Sequence, residues 1–158
     1  MSLGDLCALV RGRVPLVIEV KSHFDGDRKL VARMAEVLAA YAGPAVGMSF
    51  DPDQVLALRQ MMPALPRGII AEREYTADDW PEASAAQRQG MLHLRHAFNT
   101  RPQFVAYWVD DLPAVAPWIA RNLFGLPLLT WTVRSKEQRE RAARYADQMI
   151  FEGFRPGT

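Results

Sequence analysis

Apolar positions fall in short blocks separated by longer amphipathic stretches, and the two patterns alternate along the chain. "VPLVIEV" (14–20) is β-branched and apolar, the pattern of a strand buried on both faces. Leu30, Met34, Leu38 and Tyr41 then recur at spacings of three to four. They predict a helix over 27–41, ended by Gly43-Pro44. "AVGMSF" (45–50) reads as the next strand. Asp51 follows as a helix cap with Pro52 at the first helical position, and Val55, Leu58 and Met62 form the apolar stripe.

"RGIIAE" (67–72) predicts a third strand, 73–81 a polar loop, and the alanine-rich 82–98 a helix. "QFVAYWV" (103–109) is a fourth strand. Residues 112–124 form a short helix disturbed by Pro113 and Pro117. "PLLTWTV" (127–133) is a fifth strand. Ser135 with Gln138 makes a capping box for a helix over 135–146, and "QMIFEGF" (148–154) is a sixth strand. Strands alternating with helices imply a parallel sheet. Two architectures fit that alternation: a doubly wound open sheet and a (β/α) barrel. The length suits the open sheet, since a complete barrel takes about 200 residues or more.

Composition narrows the class without naming a function. At 158 residues, 49% hydrophobic and 23% charged, the chain reads as one globular domain over 1–158. Its 19 basic and 18 acidic residues leave a net charge of +1, which provides no asymmetry to attract nucleic acid or a membrane surface. No stretch is long and apolar enough for a membrane span, and no signal peptide is evident. The single cysteine, Cys7, allows no intrachain disulfide and fits a reducing, cytoplasmic setting.

Charge inside the first strand is the most informative detail. Residues two apart in a strand share a face, so Val17, Glu19 and Lys21 lie opposite Leu16, Ile18 and Val20. The second face is wholly apolar and belongs under the helices. A buried carboxylate must be paired, ligated or protonated. Glu19 and Lys21 are therefore either a structural ion pair on a strand with a solvated face, or a metal-ligating carboxylate beside a phosphate-binding ammonium. In both architectures function gathers at the carboxyl ends of the strands. Those ends also carry Ser49, Phe50, Asp51, Glu72, Arg73, Trp108, Asp110, Asp111, Trp131, Thr132, Arg134 and Glu152.

Lesser signals have plainer readings. His93 and His96 in "HLRH" lie one turn apart on the expected helix, but lack a third metal ligand. "DGD" (25–27) reads as a turn and cap rather than a calcium loop. The run "RSKEQRERAAR" (134–144) mixes both signs and reads as a solvated helix face.

Taken in order, "VPLVIEVKS", "VGMSFDPDQVLALRQMMPALPRGII" and "LPLLTWTV" resemble the second half of glycerophosphodiester phosphodiesterases, over about residues 4–154. That family has an Ile-Glu-Ile-Lys strand, a Ser-Phe strand with a helix ending in "P-x-L-P-R-G", and a late Trp-Thr-Val strand. The resemblance implies a (β/α) barrel that hydrolyses glycerophosphodiesters to glycerol 3-phosphate and an alcohol with magnesium or calcium. It implies Glu19 as a metal ligand, Lys21 beside the phosphate, Trp131 in the pocket wall and Phe50 at the mouth.

The family's His-Arg-Gly, Glu-x-Asp and His-Asp strands have no counterpart ahead of Glu19. His23, His93 and His96 match none of its catalytic positions, and "IFEGF" stands where its closing Thr-Asp strand would be. The expectation is the C-terminal part of an incomplete barrel, carrying about the last five to six strands. Its small-molecule partner would be a glycerophosphodiester. Alone it would be inactive, and it would self-associate or pair with a complementing N-terminal half. The alternative is a non-catalytic α/β binding or interaction subunit.

Overall fold

The computed structural model describes residues 1–155, so the last three residues of the single-domain reading lie outside the described residues. Helix α1 (Leu3–Val10) opens on a reciprocal cap. The Ser2 hydroxyl accepts the Asp5 amide, and the Asp5 carboxylate accepts the Ser2 amide. Strand β1 (Leu16–Glu19), helix α2 (Lys29–Ala39), strand β2 (Ala45–Ser49), helix α3 (Pro52–Met61) and strand β3 (Arg67–Ala71) follow. Then come α4 (Ala85–Leu92), α5 (Ala97–Thr100), β4 (Phe104–Trp108), a 3-10 turn (Val109–Asp111), α6 (Val115–Asn122), β5 (Leu128–Val133), α7 (Lys136–Tyr145) and β6 (Gln148–Phe151).

Strands β1 and β2, β2 and β3, β4 and β5, and β5 and β6 pair in parallel. The sheet runs β1-β2-β3-β4-β5-β6, in chain order throughout. A doubly wound open sheet reverses its strand order at a switch point, and this one does not. The uninterrupted order is that of a (β/α) barrel, represented here by six strands among the described residues.

The chain divides into two compact units, Met1–Ile69 with His96–Pro102, and Ile70–Arg95 with the chain from Gln103 onward. In the first unit Val20, Val31, Met34, Ala57 and Leu58 form a core, with Ile18, Leu38, Met62 and Leu65 packed against it. This bears out the apolar face of β1, where Leu16 and Val20 are buried, but not burial on both faces, since Val17 on the opposite face is exposed. In the second unit Val109, Val133 and Ala142 pack with Met149 and Phe154.

Three details depart from the sequence reading. The buried stripe of α2 is Val31 and Met34, whereas Leu30 is exposed. Leu30 and Val31 both keep helical spacing to Met34, so packing against α3 chooses between them. Tyr41 lies past the helix end, where its hydroxyl accepts the Gly12 amide at 3.1 Å. The expected helix over 82–98 is two helices, because Leu94 takes a left-handed φ of 51° between α4 and α5. The histidine pair of "HLRH" is divided with it. His93 caps the end of α4 and His96 opens α5.

Candidate functional site

Glu19 is the last residue of β1, and Lys21 lies two positions beyond it, past the end of the strand. The Lys21 Nζ is 2.6 Å from Glu19 Oε1, with side-chain exposures of 78% and 29%. The pair foreseen from strand geometry is thus present. Its lysine is largely hydrated, so the attraction is screened and its stabilising effect is about 1 kcal/mol or less.

Phe50 follows β2 directly and is half-buried between two buried polar residues, Ser49 and Asp51. Those neighbours are tied into the turn. The Ser49 hydroxyl donates to the Val20 carbonyl at 2.7 Å and accepts the Asp51 amide at 3.1 Å. Asp51 caps α3 by accepting the Asp53 amide at 2.8 Å, as the Asp-Pro pattern predicts, and it also accepts the Ser22 hydroxyl. "DGD" is a turn, as read, but not the cap: α2 starts at Lys29 and is preceded at the cap position by Arg28, whose side chain makes no cap hydrogen bond. Asp25 accepts the Asp27 amide, and Asp27 accepts both the amide and the ammonium of Lys29. The lysine holds the Asp27 carboxyl below its ordinary value.

Trp131 lies in the second unit, on β5, paired in register with Trp108 at the end of β4. The two indoles meet edge to face with centroids 4.7 Å apart, the arrangement their quadrupoles favour. Both are half-buried, as side chains at the end of a sheet would be. The Thr130 hydroxyl beside them is buried and donates to the Tyr107 carbonyl at 2.8 Å.

A further polar group gathers at the end of β3 in the second unit. Glu72 Oε1 accepts the Trp80 indole N–H at 2.7 Å, and the Glu72 amide donates to the Tyr75 hydroxyl at 3.0 Å. Arg73 is held by Asp111, through its amide to the carboxylate at 2.7 Å and through its guanidinium to the carbonyl at 2.8 Å. Burial raises the Glu72 carboxyl above its ordinary value, against the Trp80 hydrogen bond, and Asp111 and Asp79 add to the rise. Burial also raises the Tyr75 phenol, and pushes the Tyr107 phenol up to about 12. Strand position marked Glu72 and Asp111 in the sequence. Their connection did not show, because Tyr75 and Trp80 reach Glu72 from a loop with no periodic pattern.

Calcium takes about six to eight oxygen ligands, many from carboxylates and carbonyls, whereas magnesium takes about six, usually one or two carboxylates with several waters. Among the described residues no three His, Cys, Asp or Glu side chains converge to hold a metal ion. Glu19 offers one carboxylate, and its Oε1 is taken by Lys21. These residues do not by themselves fit such an ion.

No protein-family model matches the chain, and no curated protein matches it. Solved structures do. A Silicibacter pomeroyi protein assigned to the glycerophosphoryl diester phosphodiesterases matches with a TM-score of 0.70 and 24% identity, over 94% of this chain and 52% of its own. An Oleispira antarctica phosphodiesterase, solved with the product sn-glycerol-3-phosphate, matches with a TM-score of 0.71 and 14% identity, over 94% and 56%. A Thermotoga maritima glycerophosphodiester phosphodiesterase matches at 0.65 and 16%, over 96% and 59%. The fold is that of the glycerophosphodiester phosphodiesterases. The chain spans about half the length of the phosphodiesterase structures it matches. No helix among its described residues is long and apolar enough to cross a membrane.

Proposed function

We propose that this chain carries the phosphate-recognising part of a glycerophosphodiester phosphodiesterase-like barrel, and that alone it binds the phosphoester without hydrolysing it. The supporting observation is its likeness, over 94% of its length, to a phosphodiesterase solved with sn-glycerol-3-phosphate. Lys21 is assigned the phosphate. Its ammonium is largely exposed just past a strand end and is paired with the adjacent Glu19, so a phosphate oxygen can take the place of the carboxylate oxygen. Glu19 orients that ammonium when the site is empty. It would also give one oxygen to a divalent cation, which needs further ligands from elsewhere. Phe50, in the same unit as Lys21, is assigned to an apolar wall beside the ester.

Hydrolysis needs a placed acid and base. None of the three histidines stands at a position the family resemblance would make catalytic. The alternative, a non-catalytic α/β binding or interaction subunit, is favoured by the closed Glu19–Lys21 pair, which is satisfied without any ligand. Titration calorimetry with sn-glycerol-3-phosphate separates the two readings. Saturable binding that weakens about tenfold in Lys21→Ala, the scale of one charge-assisted hydrogen bond, is the expected result. Equal binding by both proteins removes Lys21 from its role.

A further inference from the structure

Lys21 stands in a loop, yet the residues on both sides of it are fastened to the junction of β2 and α3. On one side, the Val20 amide donates to the Met48 carbonyl at 2.8 Å, and the Val20 carbonyl accepts the Ser49 hydroxyl at 2.7 Å. On the other side, the Ser22 hydroxyl donates to Asp51 Oδ2 and accepts the Phe24 amide at 3.0 Å. Farther along, the Asp27 carbonyl accepts the Gln54 amide group at 2.6 Å. Ser49, Asp51 and Gln54 are each 1% exposed. Three buried side chains in a row of six residues therefore reach back to one loop.

Capping α3 does not account for this arrangement. A cap needs one acceptor, and Ser or Asn would serve as well as Asp. Asp51 uses two oxygens: Oδ1 takes the Asp53 amide of its own helix, and Oδ2 takes the Ser22 hydroxyl of the preceding loop. Only a carboxylate gives an oxygen to each donor.

We propose that Asp51, acting through Ser22 and aided by Ser49, is a positioning residue that preorganises the Lys21 backbone for a phosphate group. The proposal rests on the reading of Lys21 as a phosphate ligand. A loop fixed in advance does not lose its freedom on binding, so the clamp appears as affinity. Phosphate stays with Lys21, and Asp51 never touches it.

The test uses Ser22→Ala, which removes the clamp and leaves the α3 cap intact, and Ser22→Thr, which keeps the hydroxyl. The expected result has three parts. Ser22→Ala speeds amide hydrogen exchange across 21–27 but not in β2. It weakens sn-glycerol-3-phosphate binding severalfold, and Ser22→Thr restores both. In a Lys21→Ala background, Ser22→Ala has no further effect on the remaining affinity, because the two residues act as one unit. Unchanged exchange across 21–27 overturns the clamp. An affinity loss that persists in full without Lys21 overturns the positioning role. A wild-type chain that binds no phosphoester overturns the phosphodiesterase reading and with it the ligand part of the proposal, and hydrogen exchange still decides whether the clamp exists.

Discussion

A β-carbon added at Gly47 would stand 3.0 and 3.1 Å from the two terminal methyls of Leu58 and 3.2 Å from the Met34 methyl. Leu58 is fully buried, so the contact can be relieved only by moving core side chains. Gly47→Ala is expected to cost about 1–3 kcal/mol by overpacking. Leu58→Ala is expected to cost about 2–5 kcal/mol by leaving a cavity. Urea unfolding measures both.

Glu72 supplies a pH-dependent case at the same scale. Its folded pKa is raised, mainly by burial, above the ordinary value of 4.5. Its contribution is therefore fully present below that value and is lost as pH rises through the folded pKa. Glu72→Gln keeps an acceptor for the Trp80 N–H but does not ionise. Melting temperatures of variant and wild type should diverge in the variant's favour as pH is raised from about 4 to 7. A constant gap between the two would remove ionisation of Glu72 as a factor.

At the scale of elements, local chemistry that acts within a few residues was readable. The Ser135 hydroxyl accepts the Gln138 amide, and the Gln138 side-chain carbonyl accepts the Ser135 amide, as the capping box in the sequence predicts. Ser135→Ala should cost about 1 kcal/mol, measured by thermal or urea unfolding. Asp51 capped α3 as expected for the same reason. The expected helix over 82–98 failed because its break depends on Leu94 turning left-handed, and nothing in an alanine-rich run marks that position. Asp147 belongs to the long-range class. Its carboxylate joins the Arg121 guanidinium on α6 at 2.6 Å to the Leu128 amide at the start of β5, 2.8 Å away. Burial opposes its ionisation, but the Leu128 and Arg121 hydrogen bonds outweigh burial and lower the carboxyl pKa. Asp147→Asn should destabilise by about 1 kcal/mol, an effect that fades on acidification as the wild-type carboxylate is itself protonated.

At the scale of the whole molecule, the proposed reading predicts that the isolated chain releases no choline from glycerophosphocholine above background. Turnover by the purified chain would refute this. Strand and helix periods, the caps at Asp51 and Ser135 and the apolar face of β1 came from the sequence itself, because each depends on residues within a few positions of one another. Glu19 and Lys21 were legible as a pair for that reason: a period of two places them side by side in any extended strand. The tertiary structure decided what is set by residues far apart in the chain. It chose the in-order strand arrangement over the open sheet, and it selected Val31 over Leu30 by packing against α3. It also brought Ser22 to Asp51, 29 positions later, where a buried carboxylate had to find a partner.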